Sequence, residues 1–254
     1  MMMAIRILVG NSLNFRACMV ILLLAACQSE KQESQPPSAG LSKDHGTLEG
    51  FVRLAGSALP RPTRIENTTD PKVCGRLQTL EDLLVSPKTH GIQNVIVALN
   101  DVPASNSPAN HESRLVLNNR ECKFVPHVSV LTVGGTIEAK NSDPTMHNVH
   151  FYGALNANIA LPLKGVKAAR KVNKPGMVIV KCDIHGWMQA FIRVDSHPFH
   201  AVTDNNGYFS IPDIPAGTYN VEIWHERLGH LQKTIHIKST KTERIEVEYS
   251  LDNH

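Results

Sequence analysis

The sequence predicts an all-β protein, a sandwich or barrel of many short strands. Three observations predict it. Apolar residues recur in strict alternation or in short runs, the signature of strands. The 15 prolines and 16 glycines punctuate those runs at short intervals. No helical periodicity lasts beyond a turn or two.

Residues 1–26 read as an export signal. Arg6 and Arg16 precede an apolar run, Ala17 to Ala26, that is too short to span a bilayer and ends in small residues. Leu24-Ala25-Ala26-Cys27 resembles the bacterial lipobox, whose Cys is acylated and becomes the new N-terminus. That resemblance implies a lipid anchor on Cys27. With Gln28 rather than Asp in the sorting position, it also implies the periplasmic face of the outer membrane of a Gram-negative bacterium. Residues 27–44 are polar, carry Pro36-Pro37, and read as a flexible tether.

Strands are expected at Leu48 to Leu54, Asn94 to Leu99, Arg114 to Leu117, Val128 to Val133 and Thr136 to Ala139. Others are expected at Val149 to Tyr152, Met177 to Lys181 and Gln189 to Val194. Gly134-Gly135, Asn141-Ser142-Asp143-Pro144 and Pro175-Gly176 supply turns between them. From residue 196 onward the rhythm changes. Val202 to Ile211 reads as strand, hairpin turn and strand around Asp204-Asn205-Asn206-Gly207. Pro212 to Tyr219 makes a second turn into Asn220 to Trp224, and Ile235 to Ile237 and Ile245 to Tyr249 alternate to the end. This run resembles the carboxypeptidase regulatory-like (transthyretin-like) sandwich, a likeness of fold that says little about function. Gly46 to Val52 looks like the first strand of the same fold. Residues 45–112 therefore either complete the 196–254 sandwich around an inserted 113–195 domain or stand apart, and both arrangements stay open.

Charge excludes one class of function. Without the two leader arginines the balance falls from +3 to +1, and no basic run appears, so nothing argues for nucleic acid. Export places the chain in an oxidising compartment. With Cys27 acylated, Cys74, Cys122 and Cys182 remain, so one thiol has no partner for a disulfide.

The chemistry concentrates in Met146-His147-Asn148-Val149-His150-Phe151 and Cys182-Asp183-Ile184-His185-Gly186-Trp187-Met188. A thiolate, two imidazoles and a thioether are the donor set of a blue-copper electron-transfer site. A strand ending at Lys181 delivers Cys182. The C-x-x-H-x-x-M loop then curls back, with Gly186 expected to permit the tight turn. His147 and His150, three apart on one strand, point to opposite faces, so only one faces the site. His147 is the choice, because Asn148 beside it can bond to the Cys182 loop and hold the site rigid.

Residues 113–195 resemble the cupredoxins, most closely the amicyanin type. The shared features are C-x-x-H-x-x-M, H-N-V-H-F and the strand pair from Phe124 to Ile137. Gly135 stands where that pattern has an acid, Gly186 where it has Pro, and Cys122 has no counterpart. The resemblance implies a Greek-key sandwich holding one type 1 copper on His147, Cys182, His185 and Met188. It implies a carrier of single electrons rather than an enzyme, with His185 nearest the surface as the exit route and Trp187 in an apolar docking patch. The implied partner is a redox protein such as a c-type cytochrome or a periplasmic dehydrogenase. Cys74 and Cys122 can pair and leave Cys182 free. Zinc would accept His2Cys, but a thioether is a poor zinc ligand. The loop has no second Cys for a binuclear centre, and no H-x-H pairs supply further coppers. The rival class is a non-redox copper-binding or glycan-binding surface lipoprotein. His127, His197, His200, His225 and His230 read as loop or surface residues, with His225-Glu226 a candidate polar site on the second sandwich.

Overall fold

The computed structural model describes residues 44–103 and 113–251. The leader, Cys27 and the tether up to residue 43 lie outside it. In chain order the elements are β1 (His45–Leu54), β2 (Arg64–Glu66), α1 (Pro71–Cys74), β3 (Leu77–Thr79), β4 (Ile96–Asn100), β5 (Arg114–Arg120) and β6 (Lys123–Val125). Then come β7 (Val128–Thr132), β8 (Thr136–Asn141), β9 (His147–Gly153), β10 (Ala157–Leu161), β11 (Lys167–Lys171), β12 (Gly176–Lys181) and β13 (Gln189–Asp195). The last are β14 (His200–Val202), β15 (Tyr208–Pro215), β16 (Gly217–His225), β17 (Gly229–Ile237) and β18 (Thr242–Tyr249).

The chain is all-β, and its strands form two sandwiches. In the first, a five-stranded sheet β10-β9-β12-β13-β7 faces a four-stranded sheet β11-β8-β5-β6. Their inner faces enclose Leu117, Phe124, Ile137, Val149, Phe151, Val180 and Ile192. In the second, β15-β1-β18 faces β14-β4-β16-β17 over Leu48, Val52, Val97, Leu99, Phe209, Val221 and Ile223. β1 lies between β15 and β18, antiparallel to one and parallel to the other, so this sandwich draws strands from both ends of the chain.

The sandwiches pack sheet against sheet. Val97 and Leu99 of β4 point into their own core, while Ile96 and Ala98 meet Val128 and Phe191 of the first sandwich. A strand buried on both faces has no polar side to show, which is why Val95 to Leu99 reads as an unbroken apolar run. The Phe191 and Trp224 rings meet edge to face at 5.1 Å. Arg193 of β13 fastens one edge, with Nη1 2.7 Å from Glu222 of β16 and Nη2 3.0 Å from Asn100 of β4.

Two local expectations fail. Val202 to Ile211 is not a paired hairpin. β14 bonds to β4 and β15 bonds to β1, so Asp204-Asn205-Asn206-Gly207 arches between two sheets. Gly207 (φ +79°) passes so close to β1 that a Cβ there would lie 2.3 Å from the Val52 carbonyl, and the crossing requires glycine. Gly186, by contrast, has no left-handed φ and open space where a Cβ would stand. The metal-loop turn rests on the Met188 N–H bond to the His185 carbonyl (2.9 Å) rather than on glycine.

Candidate metal centre

β12 runs up the middle of the five-stranded sheet between antiparallel β9 and β13. The tip of β12 therefore lies beside the start of β9. Cys182 follows the tip and His147 opens β9, so the topology alone brings them together. The loop returns through Met188, whose carbonyl accepts the Cys182 N–H at 3.2 Å. His185 lies within that loop.

The three side chains converge. His147 Nδ1 and His185 Nδ1 are 3.1 Å apart, and His185 Nδ1 is 3.8 Å from Cys182 Sγ. One donor atom from each residue lies within 4.8 Å of the others, and all three residues are buried. Met188 is buried in the same core, 2% exposed. His150 points away, to Asp183 and Tyr152 on the outer face.

The two rings are oriented from behind. His147 Nε2 donates to Asp143 at 2.9 Å, and His185 Nε2 donates to Asp70 at 3.1 Å. A carboxylate only accepts, so each Nε2 carries a hydrogen and each Nδ1 faces the sulfur, where it gives a hydrogen bond to the thiolate when protonated and a lone pair to a metal when not. Asp143 is itself held. It accepts the N–H groups of Glu121 (2.8 Å) and Cys122 (2.9 Å), and Asn141 binds its backbone N–H. Asn148 locks the loop, accepting the Asp183 N–H at 2.7 Å and donating to the Asp183 carboxylate at 2.7 Å.

This crowd of electron pairs seeks a cation. Burial pushes the Cys182 thiol up, but hydrogen bonds from His147 and His185 and from the Asn148 and His185 backbones outweigh it and bring it down to about 5. Burial disfavours the charged His185 ring, yet the Cys182 sulfur and then Asp70 raise its proton affinity overall. A thiolate beside two outward-anchored imidazoles suits a soft transition-metal ion. Donors sharing one ion at bonds of about 2.0–2.3 Å lie roughly 3–4 Å apart. The observed 3.1 and 3.8 Å meet that requirement before any metal enters.

The expectation that His185 sits nearest the surface is wrong. It is 0% exposed. The segment carrying β2, α1 and β3 leaves the second sandwich and lies over this end of the first. Asp70 covers the outer ring edge, and a Cys74–Cys122 disulfide ties the segment down. Cys182 is the free thiol among the described residues. Trp187 is half-buried, its ring 5.1 Å from that of His185 and its Nε1 donating to the Cys122 carbonyl.

Sequence reasoning missed Asp70 and Asp143, and named Glu226 only beside His225 as a candidate polar site, without its partners His127 and Gln189. His127 and His225 are not surface residues. His127 Nε2 bonds Glu226, which also accepts from Gln189 Nε2 at 2.8 Å. Buried His225 is held down to about 4, by burial and then by His127. His197 is also buried, and His200 bonds Asp195 at 2.8 Å.

Among solved structures the chain is similar to the copper-containing nitrite reductase of Thermus scotoductus SA-01, at 23% identity and TM-score 0.29. That match covers 36% of this chain, which spans about a quarter (24%) of the reductase. It is similar to amicyanin from Paracoccus versutus at 20% identity and TM-score 0.29, covering 39% of this chain and 96% of that one. An oxidised proline-to-glycine variant of amicyanin is 24% identical over 35% of this chain and 88% of its own, with TM-score 0.29. The family described as polysaccharide lyase family 4, domain II, matches residues 174–245, which run from β12 into β18. No curated protein matches the chain.

Proposed function

We propose that this chain is a carrier of single electrons at one type 1 copper that His147, Cys182 and His185 would hold, with Met188 supplying a weak thioether donor. The observation that carries the reading is the convergence of two Nδ1 atoms and one Sγ in a buried pocket, each ring fixed from behind by a carboxylate. Copper bound there supplies a centre that gains and loses one electron.

The residues do the rest. Cys182, held as thiolate, gives the soft and covalent donor. Asp143 and Asp70 fix the tautomer and direction of both rings, so the donor atoms need little movement between oxidation states. Burial of all three donors keeps water away from them. The Cys74–Cys122 disulfide is consistent with an exported chain. We further propose a lipid anchor at Cys27, a place on the periplasmic face of the outer membrane, and a redox protein such as a c-type cytochrome or a periplasmic dehydrogenase as partner.

The test is to titrate Cu(II) into the purified chain lacking residues 1–27 and follow visible absorption and voltammetry. One equivalent should give an intense thiolate-to-copper band and a reversible one-electron wave, and Cys182→Ser should lose the band. Stoichiometric binding without a reversible wave would favour the non-redox copper protein instead. Tight zinc uptake with no coloured copper form would refute the assignment.

A further inference from the structure

The segment from Asn67 to Gln78 has no place in either sandwich, yet it is built with care. Asn67 donates to the Gly75 carbonyl at 2.7 Å and accepts the Thr69 N–H at 2.8 Å, and its backbone N–H bonds the Arg76 carbonyl. Gln78 bonds the Cys74 carbonyl. Cys74 is joined to Cys122, which sits in the β5–β6 turn against Asp143. The loop is thus closed on itself and anchored beside the metal centre.

Asp70 is the residue that reaches inward. It takes a left-handed backbone (φ 48°, ψ 46°), uncommon for a residue with a side chain. It precedes α1 at the position where Asp usually caps helix N–H groups, yet its side chain makes no such bond. Thr145 instead holds the carboxylate at 2.6 Å, and the carboxylate meets His185 Nε2. Strain without a capping return is what a functional constraint leaves behind.

We propose that Asn67–Gln78 is a disulfide-clamped cap and that Asp70 is a positioning residue, sealing the outer edge of His185 and setting the electron affinity of the centre through that imidazole. The second half rests on the electron-carrier reading; the seal does not. A carboxylate on the far nitrogen of a ligand imidazole favours the more positive state of the metal. Removing it shifts the balance toward the reduced state.

Two measurements test the two halves. In the metal-free protein, carbethoxylation of His185 by diethyl pyrocarbonate is followed by mass spectrometry, with exposed His236 as internal standard. Wild-type His185 should be protected. Asp70→Ala and the double variant Cys74→Ser/Cys122→Ser should label it about tenfold faster or more, the factor expected from losing one charge-assisted hydrogen bond. In the copper-loaded protein, Asp70→Asn keeps the shape and an acceptor, so it should raise the reduction potential while labelling stays near wild type. Asp70→Ala should change both. Equal labelling of wild type and Asp70→Ala overturns the seal, and an unmoved potential in both variants overturns the positioning role. A chain that shows the labelling change but binds no copper leaves the cap standing and sinks the electron-carrier reading alone.

Discussion

Glu226 belongs to the second sandwich but acts on the metal loop of the first, and Glu226→Ala should show how much the pairing matters. The carboxylate sits between His127 Nε2 and Gln189 Nε2, and the Glu226 and His127 side chains are 7% and 8% exposed. Truncation leaves one buried and one half-buried donor without acceptors, the buried one costing about 1–3 kcal/mol and the other less. A cavity of about 40 Å³ touches His127, Met188 and Gln189, enough for one water that would satisfy part of the loss. The expected destabilisation is therefore about 2–4 kcal/mol, a large share of the roughly 5–15 kcal/mol typical of a domain. Glu226→Gln keeps an acceptor and should cost less than half as much. Urea unfolding of the metal-free protein, followed by circular dichroism, gives the difference at constant slope. Gln189 directly follows Met188, so the ratio of the thiolate-to-copper bands should also shift in Glu226→Ala. A loss below about 1 kcal/mol, with spectra unchanged, would refute the idea that the second sandwich braces the centre.

The thiolate absorbance of the metal-free protein should titrate near pH 5 rather than 9, moving upward in His147→Ala. The native preference for that thiolate is complete above the unfolded value near 9 and lost as pH falls through about 5; a titration near 9 would contradict the geometry. Buried His225 accepts a proton at about 4 in the fold and near 6.5 when unfolded, so its contribution is intact above 6.5 and lost on acidification to 4, by about 3 kcal/mol. His225→Asn keeps an acceptor for the Arg227 and Leu228 N–H groups and should flatten that part of the stability profile; an unchanged slope would place the acid sensitivity elsewhere. Gly186→Ala should leave unfolding free energy within about 0.5 kcal/mol, because nothing crowds a Cβ there, and a larger loss in urea melts would show that the turn does depend on glycine.

How far the sequence reaches depends on the range of the interaction. β1, β7, β8, β12 and β13 were legible because each carries its pattern in a few consecutive residues. β10 and β11 were not: their exposed faces and short apolar content give weak alternation, and only pairing with β9 and β8 defines them. At the site, the proposed donors stood out because their residue types are unusual together. Asp143 lies four residues from His147 and could have been found by asking what fixes the ring's far nitrogen. Asp70 could not, and Glu226 stood out only beside its neighbour His225, since neither acid adjoins its target in sequence and a lone acid in a loop says nothing of a distant partner.

That asymmetry bears on mechanism. His147 takes its support from its own turn, where Asn141 ends β8 and Asp143 lies between β8 and β9. His185 takes its support from Asp70, 115 residues earlier in the chain, across a disulfide that closes a separation of 48. One imidazole is fixed by local structure and the other by a segment far away in the chain. The rigidity of the donor set is therefore complete only when the cap is closed. A chain whose Cys74 and Cys122 stay reduced would keep both sandwiches and Cys182 while leaving His185 without its tethered anchor. Comparing wild type with Cys74→Ser/Cys122→Ser, both in the Cu(II) form, for the width of the copper spectrum would expose that difference: broadening in the variant is expected, and identical widths would mean that the loop alone holds His185.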